Sequence, residues 1–195
     1  MTAPLPIPDI YLHVRVVISI IVGLCITTLL AGFARFVQHP RLEHASLLHL
    51  GWAASILLWV IHFWWWEFRL ASIRNWNFET YLFIIFFATL YYLLSKLLFP
   101  DDISEYGGYE QYFISRRRWF FGLLAATFLF DYLDTVLKGA AYLHSFGIEY
   151  PIRLAANLIF CAVAVIVPNR RVQFTVLTLT IAYQIGFIIR YYNIQ

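Results

Sequence analysis

Apolar residues fill six stretches of the chain almost without interruption, at 10–37, 47–68, 78–99, 116–139, 151–167 and 171–190. A helix needs about 20 mostly apolar residues to cross the hydrocarbon of a bilayer. Each stretch therefore predicts a transmembrane helix. The expected fold class is all-α: a polytopic membrane protein, a bundle of about six transmembrane helices with short loops and one short interfacial helix around 102–114. That last element rests on Ile103, Tyr106, Tyr109 and Phe113, which recur at three or four, with Asp102 placed to cap the helix. Residues 1–195 then form a single transmembrane domain.

The punctuation agrees. Pro100 stops the third stretch, Pro151 suits the first turn of the fifth, and Pro168 ends it. The first stretch is long for a secretory signal, so it reads as the first span. In it Ser19, Gly23, Thr27 and Ala31 follow at spacing four, a small-residue stripe expected to be a helix-packing face. Gly122 and Ala126 predict a similar face on the fourth helix. Val22-Gly23-Leu24 resembles Phe121-Gly122-Leu123, and Trp52-Ala53-Ala54-Ser55 resembles Leu154-Ala155-Ala156-Asn157, a hint of an inverted three-plus-three repeat.

Composition strengthens the membrane reading. The chain is 62% hydrophobic and 13% charged, against about 45–50% and about 25% in soluble domains. The net charge of +3 comes from basic residues at the ends of the apolar runs, where a membrane places them, so nucleic acid is not an expected partner. The lipid bilayer is, and so is either a second copy of the chain or a larger membrane complex. Cys25 and Cys161 each fall in the middle of an apolar run, where a disulfide is not expected.

The fourth stretch carries the most unusual chemistry. Thr127, Asp131, Asp134, Thr135 and Lys138 lie at i, i+4, i+7, i+8 and i+11, one polar stripe on an otherwise apolar helix. Carboxylates at membrane depth are costly and face a bundle interior or a water-filled cavity. Alternation of six spans puts Arg15, Arg153 and Arg190 near the same side as the two aspartates, together with His62 and Glu67. Burying a charge alone costs several kcal/mol, so Asp131 or Asp134 is expected to pair with at least one of those arginines, and Lys138 is a further partner. Asn157 and Gln184 are secondary polar candidates within their helices.

Other sites find less support. His39, His44 and His49 recur at five, about 140° apart on a helix, and share no face. No HExxH, CxxC, Ser-His-Asp pattern or glycine-rich nucleotide loop occurs. Asp131-Tyr132-Leu133-Asp134 resembles the DxxD of metal-dependent prenyl transferases only superficially, since no second acidic motif accompanies it. Neither a metal site nor an enzyme is expected. His62 shares a face with Trp52, Trp59 and Trp66, and lies thirteen residues from His49, close to the ligand spacing on one helix of di-haem cytochromes b. Haem via His62 is therefore a weaker alternative, its partner histidine drawn from His13 or His144 near helix ends; otherwise no cofactor is expected.

The reading that results is a channel, transporter or membrane sensor with an intramembrane proton or cation site at Asp131 and Asp134. The alternative is a non-catalytic accessory subunit. Arg35, Arg41, Lys96, Arg116, Arg117, Arg118, Arg170 and Arg171 lie on one side, against Arg15, Arg69, Arg74, Lys138, Arg153 and Arg190 on the other. The positive-inside rule then places both termini on the non-cytoplasmic side.

Overall fold

The computed structural model describes residues 7–39, 45–73 and 76–192. Arg41, His44 and Arg74 lie outside the described residues. The chain forms α1 (Ile7–Gln38), α2 (Leu47–Trp66), prolonged by a 3₁₀ turn over Glu67–Ser72, α3 (Phe78–Leu98), α4 (Tyr109–Leu137), α5 (Ala140–Ser145), α6 (Glu149–Ile166) and α7 (Arg170–Tyr192). All but the short α5 are long and apolar enough to cross a membrane, which makes this a multi-pass helical membrane protein.

Local chemistry sets the boundaries. The Asn77 side chain accepts the Thr80 N–H at 2.7 Å and opens α3, and the Ser46 hydroxyl accepts the His49 N–H at 3.4 Å and opens α2. Gly139, at φ +118°, lets the chain turn from α4 into α5, a conformation that a side chain resists. Residues 102–114 do not make a separate surface helix. A turn comes first, with the Ser104 N–H donating to Asp102 Oδ1 at 2.8 Å, which holds that carboxyl below its usual range. From Tyr109 onward the chain already belongs to α4. The glycine pair at 107–108 interrupts the periodic run, and Tyr109 and Phe113 turn into the core.

With its 29 residues α4 is one of the long helices. At 1.5 Å per residue it reaches about 44 Å, well beyond a hydrocarbon core of about 30 Å. The excess sets Arg116, Arg117 and Arg118 near one rim while Asp131 and Asp134 approach the other.

α2 is the central helix and packs against α1, α3, α4 and α7. Its Trp52, Trp59 and Trp66 lie at a spacing of seven and are all buried. Trp52 meets Phe120 and Phe121 of α4 edge-on at 5.3 and 5.1 Å, and Trp59 meets Phe128 at 5.6 Å. Around α2, α1 packs on α3, α3 on α4, α4 on α6 and α6 on α7. No contact joins α1 to α7 among the described residues, which leaves Leu47, Ala54, Ile61 and Trp65 of α2 exposed.

Two expected packing faces point elsewhere. Ser19, Gly23, Thr27 and Ala31 are all exposed, and α1 instead buries Val14, Ile18, Val22, Cys25 and Leu29. Its close approach is at Gly32, where an added Cβ would collide with the Phe99 ring. Gly122 is exposed too and Ala126 half-buried, while α4 buries Phe120, Phe121, Leu124 and Phe128 instead. The packing also breaks the suggested repeat. α1 contacts α3, whereas α4, its counterpart, makes no contact with α7, the counterpart of α3, among the described residues.

Candidate functional site

The C-terminal ends of α2, α4 and α7 and the N-terminal ends of α1, α3 and α6 gather at one end of the bundle. The polar stripe of α4 turns inward there. It does not act as one unit: its two aspartates, less than one helical turn apart, belong to separate networks.

Asp131 faces α6. Arg153 reaches its Oδ2 at 2.5 Å, and the Tyr150 hydroxyl donates to the same oxygen at 2.9 Å. Thr135 Oγ1 lies 2.6 Å from the Tyr150 hydroxyl and donates back to the Asp131 carbonyl at 2.9 Å. The guanidinium of Arg153 sits between the Tyr150 and Phe187 rings, 4.6 and 4.5 Å from their centroids. Ring faces carry partial negative charge, so this sandwich replaces part of the hydration that Arg153 gives up. The crevice beside it, bounded by Phe128, Asp131, Tyr150, Arg153 and Asn157, has no room for a water molecule.

Asp134 faces α2 and is fully buried. Lys138, one turn further on, donates to Asp134 Oδ2 at 2.5 Å, to Glu67 Oε1 at 3.1 Å and to the Trp66 carbonyl at 3.2 Å. Glu67 is only 2% exposed. It therefore points into the bundle. Above this triad opens a cleft of about 750 Å³, walled by Trp65, Phe68, Tyr142 and Phe146, with Trp66 and Lys138 among its lining residues. Arg69 lies at the same cleft, its guanidinium 5.2 Å from the Tyr142 ring centroid. Burial raises the Tyr142 phenol above its ordinary value.

The remaining candidates are dispersed. Thr127 bonds back to its own helix, at 2.7 Å from the Leu124 carbonyl. Arg15 lies over the Phe68 ring at 4.9 Å, and Arg190 pairs with Glu149 at 2.7 Å, so Arg153 is the one of the three arginines set against an α4 aspartate. Asn157 is buried beside Asp131. Gln184 sits deeper in the bundle, accepting from Ser55 at 3.3 Å. His62 is stacked on Trp59 at 5.5 Å and on Phe187 at 5.9 Å, and His49 bonds the Leu98 carbonyl at 2.6 Å at the opposite end. No group of three or more His, Cys, Asp or Glu placed to hold a metal occurs among the described residues.

Two members of the networks escaped the sequence reading as site residues. Tyr150 carries no signal that separates it from the other tyrosines of the chain. Glu67 had a signal, as an acidic residue following directly on a long apolar run. Compared with protein-family models, curated proteins and solved structures, the chain matches none.

Proposed function

We propose that this protein handles protons or a cation within the membrane, as a transporter or sensor, with its site on the Asp131/Asp134 stripe of α4. One observation carries the reading: both aspartates are drawn inward into ion networks, at an end of the bundle that a wide cleft enters. Lipid-facing positions of the same helix, such as Leu129, Leu133 and Val136, are ordinary apolar residues. The closed crevice beside Asp131 favours a carrier or sensor over an open channel. The basic rim at Arg116–Arg118 supports a cytoplasmic placement of that end.

The test is dissipation of an imposed pH, Na⁺ or K⁺ gradient in proteoliposomes. The wild type is expected to collapse one of these gradients faster than protein-free vesicles. Asp131→Asn and Asp134→Asn are expected to slow or abolish that flux. A wild type indistinguishable from empty vesicles, for every ion and under either polarity, overturns the transport reading.

A second reading, a subunit that packs on another chain, is supported by the exposed Ser19, Gly23, Thr27 and Ala31 stripe. A Cβ added at Gly23 meets nothing within 4 Å among the described residues. Gly23→Leu should therefore leave the monomer folded and shift only the oligomer peak in size exclusion; an unchanged elution profile counts against this reading.

A further inference from the structure

We propose that Glu67 and Asp134 hold one exchangeable proton between them beside the Lys138 ammonium, taken up from the cleft at that end of the bundle. This rests on the proton- or cation-handling reading for its functional meaning. It deepens that reading by naming the species and by narrowing the binding group from the Asp131/Asp134 stripe to Asp134 together with Glu67.

An ammonium has three N–H bonds and accepts nothing. Those of Lys138 are spent on Asp134 Oδ2, Glu67 Oε1 and the Trp66 carbonyl. Asp134 Oδ1 and Glu67 Oε2 remain, both shielded from solvent and neither with a hydrogen-bond donor among the described residues. Two carboxylates and one ammonium also leave one negative charge uncompensated, in a place where an unpaired charge costs several kcal/mol.

Among the described residues, Lys138 and Arg153 are the buried Lys and Arg side chains, so no further buried cation supplies the missing positive charge. On α4 and α6, Asp131 and Arg153 compensate each other. His62 of α2 is packed among Trp59, Trp66 and Phe187. Tyr91 of α3 and Tyr142 of α5 bring no cation. Arg69 of the 3₁₀ turn is exposed at the cleft, over the Tyr142 ring.

A metal ion does not fit the vacancy in the bonding either. Hard cations take about six oxygen ligands, and here two carboxylate oxygens are open. A proton needs one. Placed on either carboxyl group it neutralises the triad and creates the O–H donor that the cluster lacks. Water in the cleft supplies it, and release returns it there, the triad passing from −1 to 0 and back. Trp66 and Lys138 belong to both the cleft lining and the triad, so the two adjoin. The Asp131–Arg153 pair is already neutral and has no comparable vacancy.

Infrared spectroscopy of the purified protein in lipid tests this directly. At neutral pH the wild type is expected to show the C=O stretch of a protonated carboxyl, downshifted in D₂O. The band should disappear in Glu67→Gln and in Asp134→Asn, since each single change leaves one carboxylate for one ammonium, and should persist in the exposed control Asp102→Asn. Both single variants should keep the wild-type elution volume. The double variant strands Lys138 without a carboxylate and should lose the folded peak. Absence of the band in the wild type overturns the proposal, as does its survival in both single variants. If the variants do not fold, the wild-type band and its D₂O shift still decide. A band without flux upholds the shared proton and defeats the transport reading; flux without a band does the reverse.

Discussion

At the Arg116 end of the bundle, buried polar side chains are spent on helix termini. His49 bonds the Leu98 carbonyl at 2.6 Å and the Tyr112 hydroxyl donates to the Leu97 carbonyl at 2.6 Å, together closing the end of α3. The Gln173 amide donates to the Ala164 and Val167 carbonyls at 2.8 and 2.7 Å, and Arg117 reaches the Val165 carbonyl at 3.2 Å, closing the end of α6. At the Glu67 end the buried polar groups are charged and bond mainly to one another. The last carbonyls of a helix have no partner within it, so capping them inside a bundle contributes to stability at about 1 kcal/mol per bond. Buried ion pairs give much less net stability for their desolvation. One end is explained by folding alone, and the other asks for a further reason.

Three substitutions break or sharpen this contrast. The largest effect is expected from Lys138→Met, which leaves Glu67 and Asp134 facing each other with no ammonium. A loss of about 3–5 kcal/mol is expected, read as a large drop in thermal unfolding temperature in detergent. A loss below about 1 kcal/mol would mean that the triad is not charged in the folded protein. Next comes Gln173→Leu at the capped end, which deprives two carbonyls of their donor. It should cost about 1–3 kcal/mol and leave any ion flux unchanged. Altered flux in that variant would erase the functional distinction between the ends. The smallest effect belongs to Arg190→Gln. Its partner Glu149 also accepts from Tyr183 at 3.0 Å, and the Arg190 side chain is 53% exposed. Unfolding should move by no more than about 1 kcal/mol, which separates the outer ion pair from the buried triad.

The spans were legible because their signal is local. Twenty apolar residues and a terminating proline act on the chain wherever it sits, as at Pro100 and Pro168. The inward turn of Asp131 and Asp134 was legible for the same reason, since the cost of a carboxylate in lipid needs no knowledge of its neighbours. The stripe itself misled in one respect. Sequence spacing puts both aspartates on one face, but that face is wide enough to touch two helices, and α2 and α6 divide it between them. The small-residue stripe misled in another. Ser19, Gly23, Thr27 and Ala31 permit close approach, yet permission does not select a partner, and α1 buries its larger apolar face.

By itself, the sequence determined an all-helical membrane protein, its six spans and the need to shield the charges of α4, but neither the start of α4 at Tyr109 nor the short α5. Hydrophobic length and backbone hydrogen bonding are properties of a segment, so they can be read along a line. Only the tertiary structure decided that Lys138 serves Glu67 and Asp134 at once, that Arg153 answers Asp131 alone, and that α2 stands at the centre. Those outcomes depend on which side chains meet across different helices, 22 residues apart for Asp131 and Arg153 and 71 for Glu67 and Lys138, through distances that spacing along a single helix does not contain.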